Sequence, residues 1–264
     1  MTIARPPVAL TIAGSDSGGG AGLQADLKTF HQLGVYGATA VTLVTAQNTI
    51  SVSRVELLAP DLVAAQIDAV ATDLPIGAAK TGALGSAAIV AAVADAVSRH
   101  RIAPLVVDPV LLSKHGETLL DAGAVETLVG ALVPLTALVT PNRPEAAVLA
   151  GGAIATESDV LEAARALRAR GARAVLIKGG HAEGGVIADL LYDGATATWL
   201  RAPRIDTPHT HGTGCSYAAA ITARLAYGDH LEDAVRTAHA WIARAIASAP
   251  GLGHGQGPIN HWAK

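Results

Sequence analysis

Residues 211–215 read His-Gly-Thr-Gly-Cys and run directly into the apolar stretch 216–227. Gly212, Thr213 and Gly214 stand where a helix starts. Their N–H groups have no helical acceptor, so they should point outward together, at the dipole end that favours an anion. A phosphate fits such a place. Cys215, the single cysteine, falls in the first turn, where the same positive end stabilises a thiolate. A small buried hydrophobe is the alternative reading of a lone cysteine.

Other residues with chemical capacity stand at the ends of short apolar runs. Lys178 closes "AVLIK" ahead of two glycines, where an ammonium can neutralise a transferring phosphate or simply face water. Asp108 follows "PLVV", a place for a carboxylate that meets a metal or is merely solvated. Asn142 and Glu145, three apart in "TPNRPEA", share one face of a helix start. They could hold a magnesium–phosphate complex, directly or through water, and the spacing is equally a capping pattern. Gln47 in "TAQNT" offers a donor and an acceptor together, as reading an amine beside a ring nitrogen requires. The glycine-rich "GSDSGGGAG" has no lysine for a phosphate-binding P-loop, and Leu23 stands where a dinucleotide fingerprint needs its third glycine.

These residues need a scaffold that brings strand ends together. "VALTIA", "ATAVTLV", "PLVVD", "ALVT" and "AVLIK" read as buried strands. Between them "GLQADLKTFHQLG", "PDLVAAQIDAVATDL", "SAAIVAAVADAVSRH" and "ESDVLEAARALRARG" carry apolar residues at helical spacing. The alternation predicts a parallel sheet covered by helices. "IADLLYDG" and "ATATWL" predict a hairpin turning at Asp193-Gly194, hence an antiparallel edge, and two helices follow over 213–227 and 231–248. In such sheets ligands gather at the carboxyl ends of the strands. Five of those ends carry the polar or glycine-rich signals above.

Composition bounds the rest. The 264 residues are 50% hydrophobic and 16% charged, enough for a full core, and no linker or repeat divides them, so one α/β domain over 1–264 is expected. A net charge of −3 without basic runs gives no field for nucleic acid. No charge-free apolar window of about 18 residues predicts a membrane span. One cysteine makes no internal disulfide, and the N-terminus reads as a first strand, so a cytoplasmic location is expected. The ten histidines show no zinc spacing.

Taken together, "GSDSGGGAGLQADLKTF", "GVYG", "TAQNT", "AAKTG", "DPV", "TPNRPEA", "KGGH", "HGTGC" and "GHGQGP" resemble the hydroxymethylpyrimidine/phosphomethylpyrimidine kinases of thiamine biosynthesis, in family order from about Val8 to Trp262. The resemblance implies a ribokinase-like three-layer α/β/α fold with a mainly parallel central sheet. It implies ATP and Mg2+, with two transfers at one site: onto the hydroxymethyl group of 4-amino-5-hydroxymethyl-2-methylpyrimidine, then onto its monophosphate. A homodimer is expected. By this resemblance Gln47 reads the aminopyrimidine, Gly14 and Asp26 support it, and Val110 and Ala83 line the ring pocket. Asp108, Asn142 and Glu145 serve the magnesium side, and Lys178, Asn142 and Thr213 the nucleotide phosphates. Gly212, Thr213 and Gly214 meet the developing charge, and Cys215 stands where many of these kinases carry a catalytic aspartate. Ala83 and Leu111 replace methionines frequent in relatives, which puts the pocket wall in question. The rival is a cysteine-containing pyridoxal kinase. Such enzymes often have a second cysteine in the loop matching "LLSKHGE", and this chain has none there. A sensor without catalysis is a further class, against which the full set of phosphoryl-transfer residues argues.

Overall fold

The computed structural model describes residues 5–111, 120, 122–180 and 184–264. Parts of the "LLSKHGE" loop and His181 of "KGGH" therefore lie outside the described residues. Nine strands form one sheet: β1 (Val8–Asp16), β2 (Tyr36–Gln47), β3 (Val52–Leu57), β4 (Ile76–Thr81), β5 (Leu105–Val107), β6 (Leu138–Val139), β7 (Val175–Ile177), β8 (Val186–Tyr192) and β9 (Ala197–Pro203), in spatial order β3-β2-β1-β4-β5-β6-β7-β8-β9. β2, β1, β4, β5, β6 and β7 run parallel. The hairpin β8–β9 supplies the expected antiparallel edge, with the Asp193 carboxylate accepting the N–H groups of Ala195 and Thr196 in its turn.

The alternation of side chains explains the layers. Leu105, Val107, Val175 and Ile177 enter one core with α2 (Pro60–Ala71), α3 (Ala87–Arg99) and α6 (Glu157–Ala169). Val106 and Leu176 point the other way, into a core with α7 (Thr213–Ala226) and α8 (Leu231–Ala247). Near α1 (Gly22–Gln32) a smaller cluster joins Ala9, Phe30, Ala219 and Ala223. Both faces are thus covered, and α7 is buried without interruption from Ser216 to Ala223.

Two strands and one helical stretch go beyond the sequence reading. β4, "IGAAKT", is half glycine and alanine and has no β-branched run, yet it lies beside β1 in the sheet. β3 pairs antiparallel with β2 and makes a second antiparallel edge; most of its residues are exposed, so no apolar alternation marked it. α4 (Ala122–Thr127) continues through π and 3-10 turns to Leu135, and α5 (Arg143–Ala150) follows β6.

Candidate active site

A cavity of about 1080 Å³ opens at the carboxyl ends of the parallel strands. All five strand ends singled out from the sequence reach it: Gly14 and Asp16 at β1, Gln47 at β2, Asp108 and Val110 after β5, Asn142 and Glu145 after β6, and Lys178 after β7. Ala83 and Leu111 line it too, as do Gly212, Thr213, Gly214 and Cys215 at the start of α7.

The α7 turn is shaped by Gly212, whose φ of 77° favours glycine and where a Cβ would run into the carbonyl of Gly20. Ser216 N–H donates to Gly212 O at 2.9 Å and closes the first turn. Thr213 departs from expectation, since its N–H and its hydroxyl both donate to Thr210 O, at 3.3 and 2.8 Å. Among the described residues, no backbone acceptor meets the N–H groups of Gly212, Gly214 or Cys215. The anion-binding capacity of the turn rests on those three.

Beside this turn, Lys178 Nζ donates to Asp108 Oδ1 at 2.7 Å, and Thr140 Oγ1 donates to the same oxygen at 3.1 Å. A Cβ on Gly214 would stand 3.2 Å from Lys178 Nζ and 3.7 Å from Asp108 Oδ2, so turn and ion pair share one corner of the cavity. Burial works to lower the pKa of Lys178, but Asp108 and Glu145 outweigh it and hold it above its ordinary value. Glu145 sits in a complete capping box with Asn142, each side chain accepting the other's backbone N–H, at 2.8 and 2.9 Å. Burial pushes its carboxyl up to about 7, with Lys178 pulling down and Asp108 pushing further up.

At Cys215 burial works against the thiolate expected from the helix start. The side chain borders the cavity, yet burial pushes its pKa up to about 12, and the nearby Lys80 only partly offsets this. Burial thus favours the thiol over the thiolate. Asp26 was expected to support the pyrimidine site. It is fully buried and does not border the cavity; it accepts Thr11 Oγ1 at 2.6 Å and Lys80 Nζ at 2.7 Å.

On the other side of the Gly212 turn stands a cluster that the sequence reading left without a role. Asp16 Oδ2 accepts the N–H groups of Gly20 and Ala21 at 3.0 and 2.8 Å, Oδ1 accepts that of Gly18 at 2.8 Å, and His211 Nε2 lies 2.9 Å from Oδ2. Burial works to raise the Asp16 carboxyl, but the His211 bond and the loop amides outweigh it and hold it below its ordinary value. The Gln47 carboxamide lies 3.3 Å from the same His211 nitrogen. Asp189, buried in β8, is a further unforeseen carboxylate of the cavity wall. It accepts Gly179 N–H at 2.7 Å and lies 3.9 Å from His239 Nε2. A strand-end carboxylate ahead of glycines was the visible signal for Asp16; nothing in "IADLLYDG" set Asp189 apart.

One cavity thus joins a cationic corner with free amides to a corner that presents a carboxamide. Residues 16–260 match the phosphomethylpyrimidine kinase family. The hydroxymethylpyrimidine/phosphomethylpyrimidine kinase of Haemophilus influenzae is 48% identical over 259 residues, covering 96% of both chains. The thiamine biosynthesis bifunctional protein ThiED of Geobacter sulfurreducens is 50% identical over 252 residues; the match takes in 96% of this chain but 51% of that protein. Among solved structures, the ADP complex of Bacillus subtilis pyridoxal kinase superposes with a TM-score of 0.92 at 38% identity, over 98% of each chain. By family match and by identity along nearly its whole length, the chain belongs to the phosphomethylpyrimidine kinases.

Proposed function

We propose that this chain transfers the terminal phosphoryl group of ATP first to 4-amino-5-hydroxymethyl-2-methylpyrimidine and then to the resulting monophosphate. The observation that carries the reading is the convergence of Lys178, the free amides of the α7 turn and Gln47 on one cavity. Phosphoryl transfer through a loose transition state asks mainly for positioning and charge stabilisation. Lys178 and the amides of Gly212, Gly214 and Cys215 supply the charge, while Gln47 orients the ring against the wall made by Gly14, Ala83 and Val110. Asp26, paired with Lys80, supports that wall from behind. Cys215 as a thiol positions the acceptor and accepts no proton.

Among the described residues no group of three or more His, Cys, Asp or Glu side chains forms a metal cage. Asp108 and Glu145 instead border the cavity beside Lys178. That sparse donor set fits a magnesium ion brought by nucleotide phosphates and held largely through water. Asp108 and Glu145 would hold it, with Asn142 fixing Glu145 through the capping box. Bound there, the ion would neutralise phosphate charge.

The enzyme is read as a cytoplasmic homodimer. Its lone cysteine is free, and no described helix is long and apolar enough to cross a membrane. Val55 and Leu57 are exposed on one face of the edge strand β3, apolar side chains of the kind that a second copy covers.

The solved pyridoxal kinase with the same fold favours a second acceptor, a hydroxymethylpyridine. ATP consumption measured in parallel with the pyrimidine alcohol, its monophosphate and pyridoxal separates the two. Turnover of both pyrimidines well above pyridoxal is expected; pyridoxal as the best acceptor would overturn the reading.

A further inference from the structure

We propose that Asp16 and His211 lock the carboxamide of Gln47 in one of its two orientations, and that this lock makes the acceptor end select an amine beside an unprotonated ring nitrogen. The inference rests on the acceptor role of Gln47 given above and deepens it.

Asp16 is the starting point. With backbone N–H groups on both oxygens and His211 Nε2 at 2.9 Å, its carboxylate is an acceptor only. The hydrogen between the two residues therefore sits on Nε2, whether the ring is neutral or charged. With the Gln47 amide nitrogen placed 3.3 Å from that Nε2, two donors face each other. The oxygen and nitrogen of a carboxamide are nearly alike in shape, and their assignment follows from the network around them.

Turning the Gln47 amide by half a rotation resolves the conflict. Its oxygen then shares the His211 Nε2–H, and its nitrogen donates to Thr45 Oγ1, the neighbour at 3.3 Å on the other side. The Thr45 hydroxyl can receive that bond, because its own hydrogen goes to Ser15 O at 2.9 Å. In the reverse orientation the one Thr45 hydrogen would have to serve two acceptors. Thr45 and His211 are both buried, so water does not repair a mismatch cheaply.

The lock leaves one lone pair and one N–H of Gln47 free for the ligand, in fixed order. An aminopyrimidine edge, with its donor amine beside an acceptor nitrogen, complements that order. A 4-oxo ring with N–H beside the carbonyl presents the reverse and meets like with like. His211 is thus a positioning residue that acts through Gln47.

Two measurements test this. Nitrogen-resolved NMR of the His211 ring in the wild-type protein should show Nε2 protonated; a ring protonated on Nδ1 alone overturns the lock. Kinetics with the 4-amino pyrimidine alcohol and its 4-oxo analogue give the second test. Wild type should prefer the amine, and His211→Leu should lose at least about tenfold of that preference, mainly through KM. His211→Gln, which restores an N–H donor, should recover most of it. Equal use of both rings by wild type, or a preference unchanged in His211→Leu, overturns the proposal. If neither ring is phosphorylated, the assigned reaction fails, and the NMR result alone decides the lock.

Discussion

Lys178 and Asp108 stand 70 residues apart in the chain and 2.7 Å apart in the fold, one at the end of β7 and the other at the end of β5. The pairing holds the ammonium at the cavity corner beside Gly214, ready to exchange part of its contact with Asp108 for a phosphate oxygen.

Replacing that cation is the direct test of the phosphate corner. Lys178→Met should lower kcat for both acceptors by roughly 10²–10³ at saturating ATP, on the scale of losing one donor to a developing charge. Circular dichroism should show a folded protein. Unchanged turnover would remove Lys178 from the chemistry.

Gln47→Leu should act on the acceptor rather than on ATP. Loss of a buried hydrogen-bonding partner is worth about 1–3 kcal/mol, or roughly 5- to 150-fold in kcat/KM for the pyrimidine. The KM for ATP, measured at saturating acceptor, should stay close to that of wild type.

The raised pKa of Cys215 makes a chemical prediction. With the thiol near 12, alkylation by iodoacetamide should be slow at pH 8 and climb steadily toward strong alkali without levelling near neutrality. Cys215→Ala should slow both transfers by similar factors below about 100-fold, the lower end of general-base loss. A single-turnover defect confined to the alcohol would restore a thiolate base.

Glu145 gives stability a pH dependence whose sign follows from its raised pKa. The folded protein holds this proton up to about pH 7, whereas the unfolded chain releases it near 4.5. The group's contribution is therefore complete below 4.5 and is lost as pH rises through 7. Glu145→Gln keeps an acceptor for the Asn142 N–H and cannot titrate. Its melting temperature relative to wild type should thus be higher at pH 8 than at pH 5.5; a difference that does not change with pH would rule out the shift.

Much of this was legible because strand ends advertise themselves. Glycines, Asp108, Asn142 and Lys178 each broke a short apolar run, and a parallel sheet must gather those breaks along one rim. β4 escaped because small residues give a buried strand no periodic signature, and β3 because an exposed edge strand has no buried face to mark it. What opposes a thiolate at Cys215 was hidden for a related reason. The helix start that favours a thiolate is visible in sequence, whereas the burial that overrides it depends on how α1 and the strand ends close around the turn. Likewise the burial of Asp26 was hidden because its partner Lys80 lies 54 positions away on β4.

The unbroken burial of α7 from Ser216 to Ala223 reaches beyond stability. Four alanines in that run, Ala218, Ala219, Ala220 and Ala223, let the helix lie close to α1, α8 and β4. A close-packed interior yields to an added methyl by moving the whole element rather than by local compression. The element that would move carries the phosphate turn at its tip. Enlarging one of these alanines therefore becomes an active-site mutation at a distance: Ala219→Val is expected to reduce turnover while leaving KM for the pyrimidine nearly unchanged, measured on protein that still melts cooperatively. None of these four alanines borders the cavity, yet their size helps set where the phosphate turn stands.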